Sequence, residues 1–370
     1  MRTVGNVTRS VVIAAVLGLG VAACTSSNNS GNKSSAGSSS GSSACKVASR
    51  VSNVVALPGY QVCLFVGATT NTNHPDSVVF DGTHVWIGWQ NITAKDGTDN
   101  KSSTVGEYTT SGKPLKMWNI GGGTANGTGC HSDGMRWNAT THMMWVMCNE
   151  DGHPRLFVIN PSSSAPTQYS LPNPTPWSGG FDDIQFVNGV AYSDASNPTL
   201  NSAGKNIYTA LYKVTLSGTK ANLTPVLKAS AKAMTLNPPI TPVTLNLTDP
   251  DSMMIDPQGD LVLDSQGDQE LLFIHGVGTS SQSIKVLSVG TPVDDTVWPT
   301  SSKGCMIIAD NSSGVYQVCS DLWVTSTPLT SAPNDSTIIS FVGALNLGTG
   351  QITPVIVGLA NPHGMAFVPQ

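Results

Sequence analysis

Five aspartates and one histidine recur at matching points of a repeating segment in this 370-residue chain. The segment begins with a polar residue or proline. Asp follows, then a small or acidic residue, an alternating apolar stretch, a turn, and a second apolar stretch ending in Asp or Asn. Copies occupy 74–91, 131–151, 181–194, 249–266 and 293–311, and a truncated copy closes the chain at 361–369. The marked positions are Asp76, Asp133, Asp182, Asp251, Asp294 and His363, at intervals of 43 to 69 residues. If the fold brings them together, the carboxylates repel and must protonate, spread apart or hold a cation. Hard oxygen donors suit Ca²⁺ or Mg²⁺, so the six are the candidate metal ligands and Ca²⁺ the candidate cofactor. The competing explanation is structural: each Asp accepts backbone N–H bonds in its own loop, and recurs because the unit recurs.

Other residues offer less. Asp194, Asp264 and Asp310, with Asn149, recur at the ends of the second apolar stretches, where Asp favours turns. Asp183 and Asp295 lie one residue beyond ring positions, so strict strand alternation puts them on the opposite face. His131 beside Cys130 is a candidate ligand near Asp133. Trp86, Trp89, Trp137, Trp145 and Trp298 read as packing residues, with a sugar-stacking platform as the alternative. The glycine-rich 121–129 segment lacks the Lys-Ser/Thr of a phosphate loop. Gly37-Ser38-Ser39-Ser40-Gly41 matches a hydrolase nucleophile elbow in letters only, since no strand precedes it and no helix follows. No catalytic residue is assigned.

The elements that must position the ring follow from composition. Charged residues are 11% of the chain and Gly 37 of 370, against 39% apolar residues. Helical solvent faces need Glu, Lys and Arg, so the balance favours strands. Val-, Ile-, Trp- and Tyr-rich runs broken by Gly, Asn and Pro agree. Each interval holds about four short strands, and a unit of that size is a propeller signature. The expected fold is an all-β, six-bladed β-propeller over 45–370, with N- and C-terminal strands closing the last blade. Closure of that kind removes an exposed sheet edge. Seven blades or a pair of β-sandwiches are the alternatives. The only segment that could form a short helix is 228–236, with a loop as the other reading. The net charge of −5 and the absence of clustered Lys and Arg argue against nucleic acid as a partner.

The N-terminus reads as an address. Arg2 and Arg9 precede a thirteen-residue apolar run, 11–23, too short to span a bilayer. Residues 1–23 are therefore expected to be a signal peptide. Val21-Ala22-Ala23-Cys24 resembles the lipobox of bacterial lipoproteins, a resemblance that implies cleavage before Cys24 and its acylation, palmitate included. Residues 24–44 are then a lipidated Cys and a Ser/Gly-rich tether. Six cysteines remain, which in an exported chain read as a disulfide framework. Cys130 and Cys148 lie equidistant from one turn, as do Cys305 and Cys319 from another, which puts each pair opposite across a hairpin. Cys45–Cys63 follows by elimination.

The segment 361–369, Asn-Pro-His-Gly-Met-Ala-Phe-Val-Pro, resembles the innermost strand of NHL-repeat propellers. The segments 81–88 and 259–264 resemble the strand that follows it. The broader relatives are the six-bladed regucalcin and gluconolactonase group. That resemblance implies the propeller fold, and a range of functions: Ca²⁺- or Zn²⁺-dependent lactonases, lyases and binding proteins. Metal-binding enzymes of the group use a Glu beside Asn and Asp, and the ring positions here carry no Glu. Two expectations result. The first is a lipid-anchored binding or scaffold module for a small ligand or protein. It would be monomeric, in the bacterial cell envelope on the exported side (periplasm or cell surface), touching the membrane through its anchor alone. The second is a metal-dependent hydrolase of the lactonase type, in which a cation on the acidic rim polarises a carbonyl.

Overall fold

The computed structural model describes Cys45 and residues 53–333 and 339–370, all within one unit, Gly41–Gln370. The signal peptide, Cys24 and the tether lie outside the described residues. The described chain is a β-propeller of short, almost wholly antiparallel strands, and its one helical turn among the described residues is Gln266–Asp268. No helix among them is long and apolar enough to cross a membrane.

The strands form five hydrogen-bonded sheets. One has four strands in chain order: Pro75–Phe80, Val85–Trp89, Ser102–Tyr108 and Pro114–Gly121. An eight-stranded sheet joins two such runs, which begin at Ser132–Asn138 and Ile184–Val187. As paired strands they are joined only at the parallel pair Ser170↔Lys220. A six-stranded sheet starts at Pro250–Ile255, and a five-stranded one at Thr296–Val297. The last sheet takes both ends of the domain, with Gln61–Gly67 on its outer edge and Pro362–Pro369 on its inner edge. The first strands pack side by side in succession, and Pro362–Pro369 packs back on Pro75–Phe80. Gln61–Gly67 and Pro362–Pro369 thus share a sheet, while the first described strand, Val55–Ala56, departs from the expected closure and pairs with Ile352–Val357 in the five-stranded sheet.

Two local expectations are corrected. Residues 293–311 do not form consecutive strands of one sheet. Thr296–Val297 pairs with Leu329–Ala332, while the hairpin Gly304–Asp310 and Gly314–Ser320 inserts between Pro362–Pro369 and Gln61–Gly67. An inner strand of two residues offers two backbone pairs, whereas Pro362–Pro369 gives the hairpin a full-length partner. The segment 228–236 is not helical. Lys232–Thr235 is a strand between Pro242–Thr244 and Ser283–Ser288, so pairing overrides the helix preference of Ala, Lys and Met.

Apolar residues from adjacent sheets interleave into core clusters between them. Trp86 stacks on Trp118 at 5.3 Å, and Trp86 and Trp89 are fully buried. Trp145 and Trp298 are also buried, and Trp137 is partly buried against Trp86. That burial fits packing, not a sugar platform. All three cysteine pairs are bonded: Cys45–Cys63, Cys130–Cys148 and Cys305–Cys319. Three disulfides place the chain in an oxidising, extracytoplasmic compartment.

Candidate functional site

The first strands deliver their opening residues to one place. Asp76, Asp133, Asp251 and His363 are each the second residue of their strand, and Asp182 and Asp294 lie two residues before theirs. In four of these strands a β-bulge falls at this point: two residues face one on the partner strand at 76–77, 133–134, 251–252 and 363–364. Bulges re-aim side chains, and here they break the in-out alternation where the strands meet. All six sequence-predicted residues line a single cavity of about 380 Å³.

Asp183 and Asp295 line the same cavity, contrary to the expectation from alternation. They precede the regular pleat, so alternation does not govern them. Their carboxylates reach sideways along the ring. Asp183 Oδ2 accepts from Met253 N at 2.8 Å and from Arg136 Nη2 at 2.7 Å, and Asp295 Oδ2 accepts from Met365 N at 2.7 Å. The same position elsewhere does the same fastening. Ser77 Oγ donates to the Asp133 carbonyl, and Gly134 N donates to the Asp182 carbonyl at 2.8 Å. A Cβ on Gly364 would stand 2.5 Å from the Asp76 carbonyl oxygen, so only glycine permits that approach. The strand-end set is structural, as expected for three members. Asn149 Oδ1 accepts from His131 N, Asp194 Oδ1 from Asp183 N, and Asp310 from Ala360 N and Asn361 N, all at 2.7–2.9 Å. Asp264 Oδ1 and Asp194 Oδ2 are buried without a hydrogen-bond partner.

The cavity also holds residues that the repeat did not single out. Glu150 and Lys95 enter from loops, with Lys95 Nζ 2.5 Å from Glu150 Oε1. Gln90 Nε2 bridges Asp76 Oδ2 at 2.6 Å and Asp133 Oδ1 at 3.0 Å, while Gln266 Nε2 donates to Asp251 Oδ2 at 2.8 Å. Asn311 Nδ2 donates to Gln90 Oε1 at 3.0 Å. Gln90, Gln266 and Asn311 each directly follow a second strand, a regularity visible in the aligned copies. Glu150 and Lys95 carry no such signal. The cavity thus contains one Glu, supplied by a loop and not by a ring position.

Two donor groups stand out. In the first, His363 Nδ1 lies 2.9 Å from Asp294 Oδ2 and 3.2 Å from Asp76 Oδ1. Burial opposes an imidazolium, but the two carboxylates outweigh it and hold His363 well above its usual range. Burial likewise opposes ionised Asp76, and His363 outweighs it, so Asp76 stays below the ordinary carboxylate value. This group supplies its own cation. In the second group, donor atoms of His131, Asp133 and Glu150 lie within 4.8 Å of one another. His131 Nε2 is 3.5 Å from Asp133 Oδ1, and its Nδ1 is fixed at 3.0 Å from Thr93 Oγ1. Asp133 is 4% exposed and its Oδ2 is buried without a hydrogen-bond partner.

Eight carboxylates line the cavity, against the two permanent cations Lys95 and Arg136. Burial first, then neighbouring acids, push Asp133, Asp182 and Asp251 well above the usual carboxylate range. Burial takes Asp183 to about 6 despite Arg136, and Asp295 to about 7. Arg136 is bonded to Asp183 and donates to the Met253 carbonyl, so it is spent on the ring. The remaining oxygen donors are chemically suited to a hard cation.

No protein-family model and no curated protein match this chain. Solved structures do. A protein of unknown function from Bacteroides caccae is 10% identical over 80% of this chain and 87% of its own, with a TM-score of 0.46. A candidate 6-phosphogluconolactonase from Bacteroides uniformis is 13% identical over 81% and 75%, with a TM-score of 0.43. A streptogramin B lyase is 13% identical over 73% and 94%, with a TM-score of 0.40. Likenesses this distant assign no activity here, and the fold stands on the strand pairing alone.

Proposed function

We propose that this chain is a six-bladed, lipid-anchored extracytoplasmic binding module whose axial cavity holds a divalent cation. Asp133, Glu150 and His131 would be its first ligands, and Asp182 and Asp251 the nearby negative charge. The supporting observation is Asp133: a buried carboxylate with an unpartnered oxygen, raised by burial and then by its acidic neighbours, beside two further donors. A carboxylate in that state is stabilised by a cation more than by anything else on the cavity wall. Ca²⁺ fits the oxygen donors best, and the imidazole also admits Mn²⁺ or Zn²⁺. The blade count is supported by the succession of first strands, and the membrane anchor by the lipobox-like Cys24 segment alone. The placement on the exported side of a bacterial envelope is supported further by the disulfides. A monomer that touches the membrane only through that anchor completes the reading.

The test is calorimetric titration of Ca²⁺, Mn²⁺ and Zn²⁺ into the purified chain and into Asp133→Asn. Binding to the wild type that weakens at least about tenfold in the variant is expected, the cost of one ligand charge. Absence of heat from all three metals in the wild type overturns the reading. A second reading, a metal-dependent hydrolase, is favoured by one feature: the same cluster sets an imidazole and a carboxylate beside the cation position, as a water-activating site requires. Chelator-sensitive turnover across a panel of lactones and esters would establish it.

A further inference from the structure

Lys95 and Arg136 are the two permanent cations on the cavity wall, and they are held very differently. The Arg136 side chain is 11% exposed and bonded to Asp183, to its own strand at the Met135 carbonyl, and to the Met253 carbonyl. The Lys95 side chain is 58% exposed, and its one ion pair is with Glu150, itself only 15% exposed. The Lys95 backbone is fixed, since its carbonyl accepts from Asp151 N at 3.3 Å and Ala94 N donates to Asp99 Oδ2 at 3.0 Å. Only the side chain is free to leave. If it leaves, the ammonium regains water, while Glu150 remains in the cavity wall beside Asp133 without its cation.

We propose that Lys95 is a displaceable internal counter-cation that makes the axial site selective for divalent ions. Its ammonium neutralises Glu150 until an incoming cation takes Glu150, Asp133 and His131, and then swings out to solvent. A monovalent ion that displaces Lys95 returns only the charge it removes. A divalent ion returns twice that charge, so the ammonium sets a threshold that favours the divalent ion. This inference rests on the cation-site reading of the cavity.

Two measurements on the full chain test it. Lys95→Met should tighten Ca²⁺ binding by roughly tenfold or more, the effect of one unit charge a few ångströms away at a half-exposed site, and should let Na⁺ compete. Lys95→Arg, which keeps the charge, should stay within about threefold of wild type. Wild-type chain labelled with acetic anhydride should show faster acetylation of Lys95 when Ca²⁺ is added, read by mass spectrometry, and this requires no variant to fold. Unchanged or weaker Ca²⁺ binding in Lys95→Met, or unchanged acetylation in Ca²⁺-bound wild type, overturns the role of Lys95 and leaves the site standing. No binding in either wild type or Lys95→Met overturns both.

Discussion

Asp182 and Asp183 are neighbours in the chain, identical in type and both buried, yet they do opposite things. Asp183 is saturated: it takes backbone N–H from Met253 and Ile184 and the guanidinium of Arg136. Asp182 instead lines the cavity with another acid, Asp251, and burial, then its acidic neighbours, hold it well above the usual carboxylate range. The pair Asp294 and Asp295 repeats the contrast, since Asp295 accepts from Met365 N and Thr296 N while Asp294 faces His363. One position of the repeat thus turns into the cavity and the next binds neighbouring strands into a ring. Residue type does not separate them. What separates them is whether the backbone of the adjacent sheet is there to satisfy the carboxylate.

The contrast predicts a large asymmetry in stability. Asp183→Ala leaves Arg136 without its carboxylate and Met253 N without an acceptor, and should cost about 3–5 kcal/mol at pH 8. Urea unfolding measures it. If Asp183→Ala and Asp182→Ala cost the same, the division between fastening and cavity positions fails.

The fastening position also shows what sequence can and cannot reveal. The cavity positions were legible because each copy of the repeat carries an acid or His at one point, and closure of the sheets brings equal points together. The hairpin disulfides were legible because a turn makes equidistant cysteines into cross-strand partners. Ser77, Gly134, Asp183, Asp295 and Gly364 were legible as one position, the small or acidic residue after each marked one, but not as one role, since they share a geometry and not a chemistry: a hydroxyl, a bare Cα and a carboxylate each suit a different gap between strands. Glu150 and Lys95 were hidden for another reason. Lys95 sits outside the repeat copies and Glu150 at the end of one, past its second strand, and only tertiary placement joins them to Asp133. The same limit explains the hairpin Gly304–Ser320, whose local pattern fits either sheet. Its partner, Pro362–Pro369, lies more than forty residues downstream.

The cavity's charge gives a second, smaller effect. Asp183, Asp295 and Glu150 are raised above their unfolded values, so the folded chain binds more protons than the unfolded chain above about pH 4. His363 is raised as well and acts in the same direction at higher pH. Stability without added metal is therefore full at the acid side of this window and is lost as pH rises through about 6 and 7, the folded values of Asp183 and Asp295. His131, lowered by burial, opposes this below its usual range. Between pH 5 and pH 8 the net loss should be about 1–3 kcal/mol, seen as a falling urea midpoint. Saturating Ca²⁺ should flatten the slope, because it stabilises the ionised cavity. A midpoint that rises with pH in metal-free buffer would show that the acids are already neutralised by partners within the fold.

The smallest effect is the sharpest test of the contrast. Asp182→Asn removes an acid from a site where burial, and then Glu150, Asp76 and Asp294, all disfavour ionisation. It preserves shape, and an amide can donate to Asp251. At the cavity position the carboxylate satisfies no backbone donor of the neighbouring sheet, so its loss exposes no orphaned N–H. Metal-free stability at pH 8 should stay the same or rise by up to about 1 kcal/mol, within the range of a relieved like-charge contact. Ca²⁺ binding should weaken in the same variant. A stable protein with impaired binding is what a group kept for a ligand produces, whereas a group kept for the fold would lose both together. If Asp182→Asn instead destabilises as Asp183→Ala does, the two neighbours have one role and the ring of acids is a fastening device throughout.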